Sequence, residues 1–449
     1  MIVFTSLKFI FHFLVIFLPV YYLTPKKFRN MILFLGSMVF YGSGQWKYLP
    51  LLLILTVLNY AFGAWLIAAN TKGYCRRYRL PRLVLIIVVN AGTLLTFKYL
   101  ALAVDEKWLP LGISFYLFKM VSFCADCYNG KISEKVGFSE AAAYFTMFPQ
   151  LTQGPIMRFS KENFSSEHRI SLIGLERGLE YFVFGMGMKL LLADRLAILW
   201  NEISKIGYES ISTPLAWLGA YGYALELYFD FWGYSLMAAG LGMMLGFPYV
   251  ENFSHPYGSK SISEFYRRWH VTLGSWFKDY VYIPMGGSRR GTCATVFNLL
   301  LVWFLTGLWH GGTLNFLLWG MVLGLVIVLE KYPLKKAMTH FVFIGRVLVL
   351  VGIPLTWVIF AITDLRDLSV YFSRLFPFGV GNLVPATDFV KYMRQYGALF
   401  GAGLLLLLPP VSRFFLSEKK GILQFIRILL LFFIFLGSLY LMGTTGSNP

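Results

Sequence analysis

Trp303-Phe304-Leu305-Thr306-Gly307-Leu308-Trp309-His310-Gly311-Gly312 sets a single imidazole within a long apolar run. No other ionisable side chain lies within five residues of His310. The length of the run is that of a membrane helix, and an ionisable group at membrane depth is a functional candidate by default. The next His upstream is His270, in Glu264-Phe-Tyr-Arg267-Arg268-Trp269-His270. The reading of the remaining chain turns on whether these two imidazoles meet.

Composition settles the class around that stretch. The chain has 449 residues, is 57% hydrophobic and only 14% charged. Its mean hydropathy is +0.63. Soluble proteins carry about 25% charged residues. Apolar segments of ~20 residues recur from end to end, which makes this an all-α polytopic membrane protein. We expect about eleven transmembrane helices, plus re-entrant and amphipathic helices around a central tunnel. Residues 1–449 form a single membrane domain, with N-terminal helices over 1–108, a core over about 109–320 and C-terminal helices over 321–449. The net charge of +18 would suggest nucleic acid in a soluble protein. Here the basic residues cluster in short loops between spans, so the partner is the membrane lipid and not nucleic acid.

Those loops orient the chain. Residues 2–23 form the first span, too long for a signal-peptide core and without a small-residue cleavage site. Lys26, Lys27 and Arg29 follow it, and Lys72, Arg76, Arg77, Arg79 and Arg82 follow the third span over 49–69. Two basic loops two spans apart place both in the cytoplasm and the N-terminus outside. Further spans are expected over 28–43, 83–103, 108–128, 178–200, 214–245, 293–311, 313–329, 342–362, 398–416 and 422–442. Residues 141–158 hold Pro149, Gln150, Gln153, Gly154 and Pro155, which break a helix and present amide side chains. Glu226 and Asp230 sit four apart on one helical face, either paired with a basic residue of a neighbouring helix or walling a polar cavity. Cys124-x-x-Cys127 stands among apolar and aromatic residues with no second pair, and reads as packing more readily than as a redox or metal pair.

Residues 261–280 differ from the spans. Ser261-x-x-Glu264 is a capping box that starts a helix. Phe265, Trp269, Thr272, Leu273, Trp276 and Tyr280 share one face, with Arg267, Gly274 and Lys278 opposite and His270 on the polar shoulder. One continuous amphipathic helix is expected, lying at the cytoplasmic interface or dipping between spans. Pro284, Gly286 and Gly287 end it, and Arg289 and Arg290 mark the cytoplasmic side.

At Arg267-Arg268-Trp269-His270 and Trp309-His310-Gly311 the chain resembles the membrane-bound O-acyltransferases, most closely the alginate O-acetyltransferase membrane-subunit branch. The similarity runs from about Leu109 to Gly320. It takes in Leu111-Gly-Ile-Ser114, Phe148-Pro-Gln-Leu-Thr-Gln-Gly-Pro155, Tyr228-Phe-Asp-Phe-Trp-Gly-Tyr-Ser235, Glu251-Asn-Phe253 and Trp276-Phe-Lys-Asp-Tyr-Val-Tyr-Ile-Pro284. Any one block is weak, and together they are specific. Trp232-Gly-Tyr-Ser-Leu236 and Tyr266 depart from the usual pattern, in which Ser and Asp flank the Gly-Tyr-Ser and Trp replaces the Tyr. The resemblance implies a bacterial inner-membrane enzyme that moves an acetyl group from cytoplasmic acetyl-CoA outward, with no bound cofactor. It implies transfer to an extracytoplasmic polysaccharide through a Ser-hydrolase-like acetyltransferase, within a polysaccharide synthesis and export complex. D-alanyl transfer to teichoic acid lies in the same superfamily.

The resemblance puts the family's invariant His on His310 and a second position on His270. Acyl transfer to a hydroxyl needs that hydroxyl to lose its proton, a task suited to an imidazole near neutral pH. His310 would be the general base or orient the hydroxyl. His270 would polarise the thioester carbonyl or hold the donor. Arg267, Arg268 and Lys278 suit either coenzyme A phosphates or anionic lipid headgroups, with Arg289 and Arg290 beside them. Trp269, Trp309, Gln153 and Asp230 complete the expected donor and tunnel site. No metal-ligand set is apparent. Two other classes stay open: a transporter for a glycan or small anion, and a non-catalytic export scaffold.

Overall fold

A computed structural model describes residues 3–72, 76–164, 170–378 and 384–444, with 76–77 and 338–339 described by backbone alone. Cys75 lies outside the described residues. All the regular elements described are helices, joined in one place by an isolated antiparallel bridge. Among the described residues, seven stretches are long and apolar enough to cross a membrane, or eight if the bent pair Thr387–Leu407 and Pro409–Leu416 is one span. One of the seven, Lys26–Thr71, is 46 residues long and holds two of the expected spans. The helices before the site are α1 Val15–Leu23, α2 Arg29–Gln45, α3 Leu49–Thr71, α4 Arg76–Ala103, α5 Ile113–Asn129, α6 Phe138–Thr146, α7 Lys161–Phe164, α8 Leu172–Gly187, α9 Asp194–Ile206 and α10 Thr213–Met244. Then come α11 Ile262–Arg268, α12 Val271–Phe277, α13 Thr292–His310, α14 Leu314–Lys331, α15 Lys335–His340, α16 Val342–Val347, α17 Ile353–Ala361, α18 Leu365–Leu375, α19 Thr387–Leu407, α20 Pro409–Leu416 and α21 Ile422–Thr444.

The chain forms two compact units. The first comprises residues 1–183, 234–251 and 439–449. Its core is aromatic: Phe9, Phe13, Phe17, Phe148 and Phe40 touch in succession. The break expected within 141–158 is present. α6 ends at Thr146, a single 3-10 turn holds Phe148–Gln150, and the chain then runs on without regular structure. This backbone is buried in protein, which is where a bilayer tolerates an interrupted helix. Ser37 Oγ accepts from the Phe148 N–H at 2.9 Å and covers one freed donor. Cys124 and Cys127 are buried free thiols, as a packing role requires.

The second unit comprises residues 184–233 and 252–438 and carries both imidazoles. α13 and α14 form a tight antiparallel hairpin. A Cβ on Gly307 would sit 2.5 Å from the Phe316 carbonyl oxygen, and one on Gly320 2.5 Å from that of Trp303. Between the expected spans over 342–362 and 398–416 the chain is largely helical, with α18 and the start of α19. Asp364 caps α18 by accepting from the N–H groups of Arg366 and Asp367. Tyr371 there is fully buried and donates to Ala216 O at 2.7 Å, and among the described residues of that segment Phe376 and Phe378 are the exposed aromatics.

Candidate acyl-transfer site

The helix expected over 261–280 is interrupted. α11 stops at Arg268, and His270 takes a left-handed backbone with φ 47° and ψ 52° before α12 begins. A left-handed non-glycine residue is costly unless its surroundings fix it. They do so through the extended strand segment before α11. Ser254 donates to Arg268 O at 2.9 Å, Val271 donates to Asn252 O at 3.0 Å, and Phe253 bridges Trp269. The turn swings His270 off the expected polar shoulder into the protein, where it is 4% exposed. Of the expected faces, Phe265, Trp269, Thr272, Leu273 and Trp276 are buried and Arg267, Gly274 and Lys278 exposed, while Tyr280 is half-buried.

Both ends of α11 are anchored. Ser261 Oγ accepts from the Glu264 N–H at 3.0 Å, as the capping box requires, while Glu264 reaches back to Lys260 N. Glu330, near the end of α14, is buried and accepts from Ile262 N, Ser263 N and Ser263 Oγ at 2.6–2.8 Å. A carboxylate at a helix start is favoured by the unpaired N–H groups there. Glu330 lies outside every motif quoted above, and Asn252, though within the Glu251-Asn-Phe253 block, carries there no sign of its partner. Each acts on a residue far along the chain, and no spacing rule reports that.

His270 and His310 are brought together through Trp309. The Trp309 ring lies 6.3 Å from the His270 ring and 4.5 Å from the His310 ring, centroid to centroid. Phe231 meets His270 edge-on at 4.6 Å. Around His310 stand Trp319 at 5.1 Å, Phe360 at 5.0 Å and Phe316 at 6.3 Å. His310 is half-buried. It is the last residue of α13, where Gly311 leaves the helix extended.

Asn252 sets the state of His270. Its Oδ1 accepts from Thr272 N at 3.3 Å and Thr272 Oγ1 at 2.8 Å, and lies 3.0 Å from His270 Nδ1. An atom taking a backbone N–H is the amide oxygen, so Nδ1 carries the proton it donates. A neutral imidazole then offers only an acceptor at Nε2. Nε2 is buried with no hydrogen-bond partner among the described residues. Burial, and then the nearby His310, push the His270 pKa down to about 3. The neutral ring therefore suits accepting a hydrogen bond at Nε2 and does not suit holding a proton there or polarising a carbonyl.

The other expected residues divide. Trp269 is buried against Phe253 at 5.0 Å and Trp357 at 5.0 Å and acts as frame. Arg268 pairs with Glu264 at 2.5 Å, whereas Arg267 and Lys278 are exposed. Asp230 pairs with Lys189 at 2.5 Å, and Lys189 also holds Asp194 at 2.6 Å, so a basic partner from a neighbouring helix is present. Gln153 lies exposed in the first unit, two residues after Leu151 leaves the 3-10 turn.

The profile of the membrane-bound O-acyltransferase family matches residues 129–366. The chain belongs to that family. It is 35% identical over 442 residues to "Probable alginate O-acetylase AlgI" of Pseudomonas aeruginosa, covering 92% of this chain and 82% of that protein. It is 29% identical over 419 residues to the peptidoglycan O-acetyltransferase of Helicobacter pylori, covering 82% and 78%. The teichoic acid D-alanyltransferase of Bacillus subtilis is 27% identical over 225 residues, covering 47% and 56%. Both imidazoles lie inside the matched region, on the two sides of Trp309.

Proposed function

We propose that this protein is a membrane O-acetyltransferase that takes acetyl groups from cytoplasmic acetyl-CoA for O-acetylation of an extracytoplasmic polysaccharide. The observation that carries the reading is the junction of His270 and His310 at Trp309 in a chain of this family. An acceptor hydroxyl attacks the thioester carbonyl, its proton passes to His310, the C–S bond breaks and the thiolate leaves to be protonated. His310 suits the proton transfer because it is half-buried at a helix end, open to a substrate and walled by aromatic rings. Arg267 and Lys278, exposed on the polar face, would hold the phosphates of the donor. The chain would cross the inner membrane about eleven times with its N-terminus outside, the two imidazoles lining a tunnel between donor and acceptor. An extracytoplasmic Ser-hydrolase-like protein would finish the transfer, docking near Phe376 and Phe378.

The test is reconstitution in liposomes with acetyl-CoA on the cytoplasmic side. Wild type should release coenzyme A and transfer acetyl, and His310→Gln, which keeps hydrogen bonding but takes no proton, should lose about a hundredfold or more in turnover. Wild-type turnover in His310→Gln would overturn the reading. D-alanyl transfer is the second reading, favoured only by the shorter match to the D-alanyltransferase, and an alanyl thioester offered in parallel separates the two.

A further inference from the structure

We propose that Asn252 is a positioning residue for acyl transfer, holding His270 in the tautomer that keeps its Nε2 lone pair available to the site. This rests on His270 taking part in the reaction as argued above. Asn252 is itself 2% exposed and pinned by its own backbone, whose carbonyl accepts from Val271 N at 3.0 Å. Its side-chain oxygen is held in turn by Thr272 N at 3.3 Å and Thr272 Oγ1 at 2.8 Å, so the ring follows the amide. Its Oδ1 gathers three donors within 3.3 Å: Thr272 N, Thr272 Oγ1 and His270 Nδ1. The backbone donor is the decisive one, because an N–H cannot reverse its polarity. It fixes the amide's orientation and thereby the side of the imidazole that bears the proton.

The left-handed turn at His270 belongs to the same device. It lets residues 270 and 272 converge on one oxygen, which a continuous helix over 261–280 would not allow. Such second partners of a functional imidazole fix both its tautomer and its ring orientation. The neutral ring finds little to oppose it. His310, on α13, is a further influence against protonation of His270. Phe231 is the face that α10 presents, and Asp230 beside it is turned to Lys189. Arg268 is turned to Glu264, and Glu251 is exposed.

The experiment measures acetyl-CoA turnover between about pH 5 and 9 for the full-length protein in liposomes, with wild type, His270→Gln, Asn252→Ala, Asn252→Asp and Thr272→Val compared. Asn252→Ala should lower kcat about 10- to 100-fold with KM for acetyl-CoA little changed. Asn252→Asp keeps the acceptor and adds a charge that favours the protonated ring, so the acid limb of kcat/KM should move to higher pH while turnover at alkaline pH persists. Thr272→Val removes a structural bond to the same oxygen and should keep the wild-type pH profile. An inactive His270→Gln with an unshifted Asn252→Asp profile would overturn the positioning role alone. An active His270→Gln would overturn the reading of His270 beneath it. Should Asn252→Ala fail to fold, the Asn252→Asp shift still decides.

Discussion

A buried imidazole with one fixed donor bond is a pH-sensitive element of stability. His270 is neutral in the fold, with its pKa lowered to about 3, against an ordinary value near 6.5. Above pH 6.5 both the folded and unfolded states hold it neutral. Between about 6.5 and about 3 the unfolded chain binds the proton and the folded one does not, so stability falls as pH falls. The thermal midpoint in detergent should therefore drop on acidification from pH 7 to 5, and drop less in His270→Gln. An equal drop in both proteins would show that His270 is not held neutral. At His310 the expectation reverses. That ring is half-buried and is not the anchor of its helix, so His310→Gln should remove turnover while leaving the midpoint within a few degrees of wild type.

At the scale of elements, the α13–α14 hairpin sets the place of His310. Gly307 and Gly320 allow the two backbones to touch, and a methyl at either would meet a carbonyl oxygen at 2.5 Å. Gly320→Ala should push the helices apart, shift Trp309 and His310 against Trp319, and cut turnover at least tenfold while the protein still inserts. Full activity in Gly320→Ala would mean that the hairpin does not position the imidazole. The Lys189 cluster makes a second element-scale prediction. Lys189 sits in a π-helical turn at Met188–Ala193 that carries it to both Asp194 and Asp230. Lys189→Met leaves two carboxylates without their cation. The cost should be about 1–3 kcal/mol, below the 3–5 of a fully buried pair, because the Lys189 and Asp230 side chains keep 27% and 32% exposure. Thermal melts should show partial recovery in the Lys189→Met/Asp230→Asn double variant, and no recovery would deny the coupling.

For the whole molecule, the charge pattern of the loops fixes the orientation to be tested. Arg79 and Arg82 follow α3, and Arg289 and Arg290 precede α13. Cysteines introduced at Arg82 or Arg290 should resist a membrane-impermeant thiol reagent in intact cells and react after permeabilisation. Labelling in intact cells at Arg290 would invert the molecule and place the basic face of α11 and α12 outside, away from a cytoplasmic thioester donor. The native Cys293, exposed beside that loop, must first be changed to Ser for the signal to be clean.

The sequence by itself determined that this is a helical membrane protein, that residues 141–158 break within it, which face of 261–280 is apolar, and, through the motifs that resemble the family, that His310 and His270 are the imidazoles to test. Each of these is written in local composition, period or motif, where neighbours in sequence are neighbours in space. Only the tertiary structure decided that His270 turns inward on a left-handed residue, that Asn252 rather than a carboxylate fixes its proton, that Glu330 caps α11 and that Lys189 answers Asp230. These depend on contacts between elements far apart in the chain. The free energy of burying a polar group is met there by whichever partner packing brings within about 3 Å, and no periodicity names that partner in advance.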